Sequence, residues 1–209
     1  MQYTKNNPLR VVTLCSGYDS QCLALNRLRE AYPDFDYTLV AWSEWDPESN
    51  VPTDRQPAVI AHKALFPQWA DRNLGDMTKI DWSKVDDFDL LFYSTPCTDF
   101  SNAGKQAGGE EGSGTRSSIL WWTRYAILEK KPKYLIMENV KALVSGKFIT
   151  LFRKWLDEMY YLALPLIVMT FCSLGGMTRY VRAAMIEALS MDCIRTARAK
   201  GCKESVVIN

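Results

Sequence analysis

Four short apolar runs, separated by polar turns and by segments with helical spacing, constrain the fold of this 209-residue chain more than any other feature. Strands that alternate with helices in this way are typical of an α/β domain with a mostly parallel sheet. In such sheets ligands bind beyond the carboxyl ends of the strands, so the residues that follow each run are the candidates for a binding site. The runs are Leu9–Cys15, Tyr37–Trp42, Phe88–Ser94 and Lys133–Glu138.

Helical spacing of apolar residues marks the segments between and after these runs. In the second such segment, Val59, Ile60 and Leu65 are expected to face the core. Residues 98–116 are polar and contain several glycines, which predicts a long loop. The helical segments are Gln21–Ala31, Ala58–Phe66, Ser117–Glu129 and Lys147–Tyr161.

Composition excludes several classes of protein. Apolar residues make up 47% of the chain and charged residues 23%, which excludes a disordered or fibrous chain. The net charge of +1 gives no overall basic signature, so any contact with nucleic acid must come from a local patch. The six cysteines include no Cys-x-x-Cys pair and His62 has no ligand-type neighbour at helical spacing, so no metal site is expected. The polar start of the chain predicts no signal peptide, a cytoplasmic location and free thiols.

Polar side chains follow the first two strands and a later turn. Residues 16–20 enter a helix and could hold the polar end of a ligand on backbone amides, or form an ordinary turn. Glu44, after the second strand, could bind two ribose hydroxyls, and Trp45 could stack on adenine. The alternative for this pair is a solvated turn. Asp76, after Gly75, is equally ambiguous on its own.

Cys97 differs from the neighbouring cysteines in its setting. It follows Pro96 at the start of the polar loop, whereas Cys15 and Cys22 lie in apolar segments typical of structural cysteines. A cysteine on a polar loop is better placed to be a nucleophile. Glu138 ends the next strand and brings a carboxylate to the same edge of the sheet. This pair suits the addition of sulfur to a ring with concurrent protonation of that ring.

The chain resembles the catalytic domain of cytosine-5 DNA methyltransferases, especially the phage and bacterial type. The segments that carry the resemblance lie in family order, at family-like spacing, within residues 9–161. They are TLCSGYDSQCLAL (13–25), AWSEWDPES (41–49), GDMTKID (75–81), STPCTDFSNAGKQAG (94–108), GSGTRSSILWW (112–122) and PKYLIMENVKALVS (132–145). The resemblance implies a three-layer, mostly parallel sheet of the S-adenosylmethionine-dependent methyltransferase type, incomplete, over residues 1–161. A helical tail, residues 162–209, would follow.

The same resemblance implies which residues hold S-adenosylmethionine. Ser16 and Gly17 fall in the turn that cradles the methionine part of the cofactor. Residues 18–20, Tyr-Asp-Ser, depart from the more glycine-rich family pattern there. The other implied cofactor residues are Glu44 for the ribose hydroxyls, Trp45 against the adenine, Asp76 for the adenine amino group, and Pro96.

The resemblance also implies the chemistry. Cys97 would attack carbon 6 of a cytosine turned out of double-stranded DNA, and carbon 5 would receive the methyl group. Glu138 would hydrogen-bond ring nitrogen 3 and the amino group of that cytosine. Thr98 stands where many relatives carry glutamine. The implied residues around the target base are Pro96, Ser101, Asn139 and Val140.

The tail resembles a different family, the inner-membrane permease subunits of peptide-type ABC importers. The match covers about residues 163–209 and is carried by Arg179, Arg182 and the run Arg195–Gly201. Residues 159–178 carry no formal charge and are long enough to span a bilayer, which would allow membrane association. The alternatives are a buried core segment for residues 159–178 and, for the tail, a basic amphipathic helix that replaces missing DNA-binding parts.

Three hypotheses follow from the two resemblances. The leading one is a DNA (cytosine-5-)-methyltransferase that acts on double-stranded DNA, with or without a second polypeptide that supplies target recognition. Because the resemblance stops at residue 161, we expect weak cofactor binding and poor or absent methyl transfer. The alternative is a permease component that contacts a membrane or an ABC ATPase subunit. The third is a domain that binds cofactor without catalysis.

Overall fold

A four-stranded parallel sheet forms the centre of the computed structural model, which describes residues 2–101, 104 and 106–158. The strand order is β2-β1-β3-β4, and every neighbouring pair is parallel. The carboxyl ends of all four strands therefore meet at one edge, as the sequence predicts. The strands are β1 (Leu9–Leu14), β2 (Tyr37–Ser43), β3 (Leu90–Tyr93) and β4 (Tyr134–Met137).

Helices cover both faces of this sheet, which gives the predicted three layers. Successive strand side chains point to opposite faces. Val11 and Leu90 pack in a core with residues of the first two helices, whereas Val12 and Leu91 pack in a second core with residues of the last two. Within the described residues the α-helices are α1 (Ser20–Ala31), α2 (Pro57–Leu65), α3 (Thr123–Lys130) and α4 (Ile149–Glu158).

The segment predicted as one helix over residues 117–129 forms two consecutive helices of different type. Arg116–Trp122 is a 3-10 helix, and α3 begins only at Thr123. Hydroxyl side chains account for this difference, because they hydrogen-bond nearby backbone and compete with a regular α-helix. The Ser118 hydroxyl donates to the Thr115 carbonyl at 2.7 Å, and the Thr123 hydroxyl donates to the Leu120 carbonyl at 2.7 Å.

Helix α2 buries a narrower face than the sequence suggests. Val59 and His62 are fully buried, and Phe66 directly after the helix is also buried. These residues follow one another at helical spacing and form the face that meets the sheet. Ile60 and Leu65 lie off this face and are 52% and 48% exposed, so the prediction that they face the core is wrong.

The predictions for the end of the chain fall outside the described residues. They concern the uncharged stretch at residues 159–178 and the permease-like tail at residues 162–209. Among the residues that the structure describes, no helix is both long enough and apolar enough to cross a membrane.

Candidate functional site

A cavity of about 270 Å³ lies at the carboxyl edge of the sheet. One wall comes from the end of β1 and the loop after β2, and the facing wall comes from the 3-10 helix Arg116–Trp122 and the residues just before it. The lining residues are Cys15, Ser43, Glu44, Trp45, Pro47, Gly75, Met77, Thr78, Pro96, Gly114, Thr115, Arg116, Ser118, Ile119 and Trp122. Of the predicted site residues, the cavity thus brings together Glu44, Trp45 and Pro96.

The turn after β1 is held against β2 by its backbone amides. The Ser16 N–H donates to the Ser43 carbonyl at 3.1 Å, and the Gly17 N–H donates to Oε2 of Glu44 at 2.7 Å. Gly17 and Asp19 have φ angles of 55°, in the left-handed region that favours glycine and tolerates aspartate. Asp19 also caps α1 by accepting a hydrogen bond from the Cys22 N–H. The departure of Asp19 from the glycine-rich pattern is therefore accommodated by its own side chain.

Ser16 carries a buried hydroxyl in the turn after β1. The residue is 4% exposed, and among the described residues its Oγ has no hydrogen-bond partner. A buried polar group without a partner costs free energy, so such groups are uncommon unless a ligand or water satisfies them. The hydroxyl lies in the turn that is joined to Ser43 and Glu44, both of which line the cavity. This turn therefore suits the polar end of a bound molecule.

Glu44 is a partly buried carboxylate whose backbone is fixed on both sides. Its N–H donates to Oδ1 of Asn73 at 3.1 Å, and its carbonyl accepts from Nδ2 of the same side chain at 3.2 Å. Burial raises the pKa of the Glu44 carboxyl, and the hydrogen bond from Gly17 only partly offsets this effect. A carboxylate that has lost hydration is well suited to accept hydrogen bonds from the hydroxyls of a ligand.

Asp76 lies beside the cavity but is not one of the residues that line it. Its Oδ1 accepts hydrogen bonds from the Thr78 N–H at 3.0 Å and from the Thr78 hydroxyl at 2.8 Å, while Lys79 Nζ lies 3.1 Å from Oδ2. Partial burial by itself raises the pKa of Asp76, but these donors outweigh it and lower the pKa. Asp76 thus remains ionised, next to the lining residues Gly75, Met77 and Thr78.

Cys97 lies on the loop after β3, directly after the cavity residue Pro96. It is half-buried, and its carbonyl accepts hydrogen bonds from the N–H groups of Phe100 and Ser101 at 3.0 and 2.8 Å. The Pro96 carbonyl accepts from the Ser117 hydroxyl at 2.8 Å, which ties the loop to the 3-10 helix. Cys97 itself does not line the cavity, so the cavity and the predicted nucleophile are neighbouring features.

The residues after β4 are attached to this same loop. The Glu138 N–H donates to the Tyr93 carbonyl at the end of β3, and the Glu138 side chain is exposed. Asn139 Nδ2 donates to the Thr95 carbonyl at 2.9 Å, while Asn139 Oδ1 accepts from the Val140 N–H at 2.9 Å. The predicted catalytic carboxylate and the predicted nucleophile therefore follow neighbouring strands whose end loops are bonded to each other.

Several residues that line the cavity are missed by the sequence analysis. Cys15 lies there rather than inside the strand, and its Sγ donates to Sδ of Met77 at 3.6 Å. Burial raises the pKa of the Cys15 thiol to about 12, and the Glu44 carboxylate adds to this effect, so the thiol stays protonated. Arg116 and Trp122 belong to the GSGTRSSILWW segment, which the sequence singles out without assigning a role to any residue in it.

Within residues 2–101, 104 and 106–158, no group of three or more His, Cys, Asp or Glu side chains is placed to hold a metal ion.

Comparison with known families gives two matches. The model of the C-5 cytosine-specific DNA methylase family matches residues 9–163, which is more than half of the chain. The model of the binding-protein-dependent transport system inner membrane component family matches residues 119–209.

Individual relatives are similar to part of the chain. The type II methyltransferase M2.ScrFI of Lactococcus lactis is 51% identical over 41% of this chain and 24% of its own length. The orphan methyltransferase M.Rho11sI of Bacillus phage rho11s is 31% identical over 73% of this chain and 28% of its own. The chain thus spans about a quarter of the length of these curated relatives.

A solved structure supports the same fold. The structure of the Entamoeba histolytica methyltransferase EhMeth aligns with a TM-score of 0.51 at 15% identity, over 72% of this chain and 44% of that one.

Proposed function

The chain belongs to the C-5 cytosine-specific DNA methylase family, and we propose from this that it transfers a methyl group from S-adenosylmethionine to carbon 5 of cytosine in double-stranded DNA. One observation carries the proposal. The cavity at the strand ends joins Glu44 and Trp45, which suit a nucleoside, to Pro96, and the proposed nucleophile Cys97 follows Pro96 directly.

The residues around the cavity fit the proposed cofactor. The buried Ser16 hydroxyl and the Gly17 turn suit the methionine end, and the Glu44 carboxylate suits the two ribose hydroxyls. The Trp45 ring supplies an aromatic wall for the adenine. A carboxylate offers about four lone pairs, so Asp76 could still accept a bond from the adenine amino group beside Thr78 and Lys79. When it is bound, S-adenosylmethionine supplies an electrophilic methyl group.

In the proposed reaction, the protein's own residues supply the nucleophile and stabilise the charge that develops on the base. The Cys97 sulfur forms a bond to carbon 6 of an extruded cytosine, and the electron pair of the 5,6 double bond makes carbon 5 nucleophilic. Glu138 hydrogen-bonds ring nitrogen 3 and the amino group, which stabilises the charge that develops on the ring. Once carbon 5 carries the methyl group and S-adenosylhomocysteine has left, transfer of the carbon 5 proton to water would return an electron pair to the ring and expel the Cys97 sulfur, which restores the 5,6 double bond.

We propose that four residues shape the pocket for the base, namely Pro96, Ser101, Asn139 and Val140. The hydrogen bond from Asn139 to the Thr95 carbonyl supports this assignment, because it fixes the loop that carries Glu138 against the loop that carries Cys97. Small displacements of reacting groups are costly, since about 1 Å can reduce the rate on the order of a hundredfold.

Trapping on 5-fluorocytosine tests the proposed function directly. Fluorine at carbon 5 cannot leave as a proton does, so a single turnover should leave a denaturation-stable adduct of the 209-residue chain on duplex DNA with S-adenosylmethionine. Because the adduct accumulates, even a slow enzyme is detected. We expect Cys97→Ser to abolish the adduct and Cys22→Ala, which changes a fully buried thiol, to retain it. An adduct that survives in Cys97→Ser would contradict the assignment of the nucleophile. The absence of any adduct with the folded wild type would contradict the proposed transfer and favour the domain that binds cofactor without catalysis.

A permease component is the second candidate, because a family model of transport components matches residues 119–209. This match overlaps the methylase match over residues 119–163, and most of it lies outside the described residues. Alkaline extraction of membranes from expressing cells separates the candidates. Retention of the chain in the membrane pellet would favour the permease, whereas release into the supernatant would contradict it.

A further inference from the structure

His62 is a fully buried polar residue of α2 that the proposed mechanism does not use. It is the single histidine of the chain and is 0% exposed. Its ring stacks on the indole of Trp42 in β2, with centroids 3.6 Å apart and planes inclined by 13°. Nε2 of His62 lies 3.1 Å from Oδ2 of Asp19, at the end of the turn after β1. The ring is therefore fixed by Trp42 and directed at Asp19.

The Asp19 carboxylate joins three elements beneath that turn. Oδ2 accepts a hydrogen bond from the Thr13 hydroxyl of β1 at 2.7 Å in addition to its contact with His62 of α2. Oδ1 accepts from the Cys22 N–H of α1 at 3.2 Å. Asp19 itself is fully buried, so each of these bonds replaces hydration that the carboxylate has lost.

The hydrogen-bond pattern assigns the tautomer of His62. Nδ1 is buried and has no partner among the described residues, so a proton there would be an unsatisfied donor. A proton on Nε2 is instead satisfied by Asp19 Oδ2. The Nε2–H tautomer therefore donates to Asp19, and Nδ1 carries no proton.

We propose that His62 is a positioning residue for the cofactor turn and acts through Asp19. The Asp19 N–H donates to the Ser16 carbonyl at 2.7 Å, so the position of Asp19 fixes the turn whose Gly17 N–H reaches Glu44. Asp19 holds a left-handed φ of 55°, a conformation that aspartate tolerates at some cost in free energy. The hydrogen bonds from His62 and Thr13 to its carboxylate help to hold it there. This inference rests on the proposed function, since it assigns the turn to S-adenosylmethionine.

Binding of S-adenosylhomocysteine to the 209-residue chain, measured by titration calorimetry, tests the role of the donor. His62→Phe keeps an aromatic ring beside Trp42 but removes the donor, and we expect affinity to fall about tenfold. His62→Gln places an amide N–H near the position of Nε2, and we expect affinity within about threefold of the wild type. Wild-type affinity in His62→Phe, or failure of His62→Gln to restore binding, would overturn the proposal.

Val59→Ala is the matched control for a purely structural role. Val59 is fully buried on the same face of α2 but lies outside the Asp19 hydrogen bonds, so it should lower stability and leave affinity nearly unchanged. An equal loss of affinity in Val59→Ala would overturn the proposal. If His62→Phe fails to fold, Thr13→Val removes the other donor to Oδ2 with little change of volume. Reduced affinity in that variant supports the proposal, and unchanged affinity overturns it.

Two NMR measurements on the ligand-free chain separate this inference from the proposed function. The single histidine gives one imidazole spin system, whose nitrogen shifts should identify the Nε2–H tautomer. The Ser16 and Gly17 amide resonances should move in His62→Phe and stay in place in Val59→Ala. Unmoved amide resonances in His62→Phe would overturn the inference whether or not cofactor binds. Failure of the folded wild type to bind S-adenosylhomocysteine, with the amide shifts as expected, would count against the proposed function alone.

Discussion

The Gly17 N–H donates a 2.7 Å hydrogen bond to Oε2 of Glu44, and this bond joins the turn after β1 to the loop after β2. Both segments are proposed to hold the same ligand, at its methionine end and at its ribose. The bond means that neither segment is positioned independently, because a shift of the turn also moves the partner of Glu44. Preorganisation of this kind reduces the cost of ordering side chains when a ligand binds.

Glu44→Gln should lower the affinity for the cofactor while the chain still folds. The amide oxygen can still accept from Gly17, but the variant loses the ionised acceptor proposed for the ribose hydroxyls. We expect S-adenosylhomocysteine affinity to fall by about 1–3 kcal/mol, measured by titration calorimetry. Glu129→Gln changes an exposed carboxylate on α3 and serves as the control. Equal affinity in the wild type and Glu44→Gln would place the cofactor elsewhere.

The stability of the same variant should depend on pH in a defined direction. Burial raises the pKa of Glu44 in the folded chain above its ordinary value of 4.5, so the folded state binds more protons than the unfolded state between these two pKa values. The contribution of Glu44 to stability is therefore fully present below pH 4.5 and is lost as pH rises through the raised pKa. In urea unfolding, the free energy of unfolding of Glu44→Gln should increase relative to that of the wild type from acid to neutral pH. A constant difference between the two proteins would contradict the raised pKa.

The sheet could be predicted from the sequence because its strands are covered on both faces. Such strands are continuous apolar runs, and the predicted start of β1 and β2 at Leu9 and Tyr37 is confirmed. Glu44 and Trp45 could be placed at the sheet edge by the same argument, since they directly follow β2. Their roles toward a cofactor stay predictions.

The parts that could not be predicted depend on contacts between distant segments. The 3-10 helix that forms the facing wall of the cavity is fastened by Ser117, whose hydroxyl bonds the Pro96 carbonyl and whose N–H bonds Asp99. His62 and Asp19 are 43 residues apart in the chain, and neither has a sequence neighbour that reveals the other. Periodicity reports which face a residue occupies, but it does not report its hydrogen-bond partner.

Asn139→Ala should loosen the loop after β4. The substitution removes the donor to the carbonyl of Thr95, a residue that is 3% exposed, and leaves that oxygen without this bond. We expect a loss of about 1–3 kcal/mol in the free energy of unfolding, measured with urea. Asn139→Asp keeps the acceptor for Val140 but not the donor, so it should be no more stable than Asn139→Ala. The exposed Asn50→Ala is the control, and a similar loss there would contradict this explanation.

Trp155 should be the most sensitive position of α4. Its indole is fully buried between Tyr93 of β3 and Phe152, and its Nε1 donates to the Leu120 carbonyl at 3.2 Å. Trp155→Ala should lower the free energy of unfolding by about 3–5 kcal/mol, because it leaves a large cavity. Trp155→Phe should cost less, since most of the volume is retained. The exposed neighbour Arg153→Ala should change stability little, and equal effects at the two positions would contradict the packing argument.

Arg116→Ala should speed the release of a ligand from the cavity. Arg116 lies on the wall formed by the 3-10 helix, and its guanidinium contacts Asp46 Oδ1 and Glu48 Oε2, both at 3.3 Å, on the loop after β2. These pairs connect the two walls. Because the side chain is 40% exposed, each pair contributes only about 0.2–1 kcal/mol. We therefore expect the dissociation rate of S-adenosylhomocysteine, followed by stopped-flow fluorescence, to rise a few-fold.

The salt dependence of the dissociation rate serves as an internal control for the effect of Arg116→Ala. Ions screen exposed pairs over a Debye length of about 10 Å at 0.1 M, so added salt should speed dissociation from the wild type. Arg116→Ala has already lost the pairs, and its dissociation rate should respond much less to salt. Lys84→Ala breaks a more exposed pair, with Asp81, and neither residue lines the cavity. This variant should behave like the wild type. If Arg116→Ala and the wild type respond equally to salt, the two ion pairs do not hold the walls together.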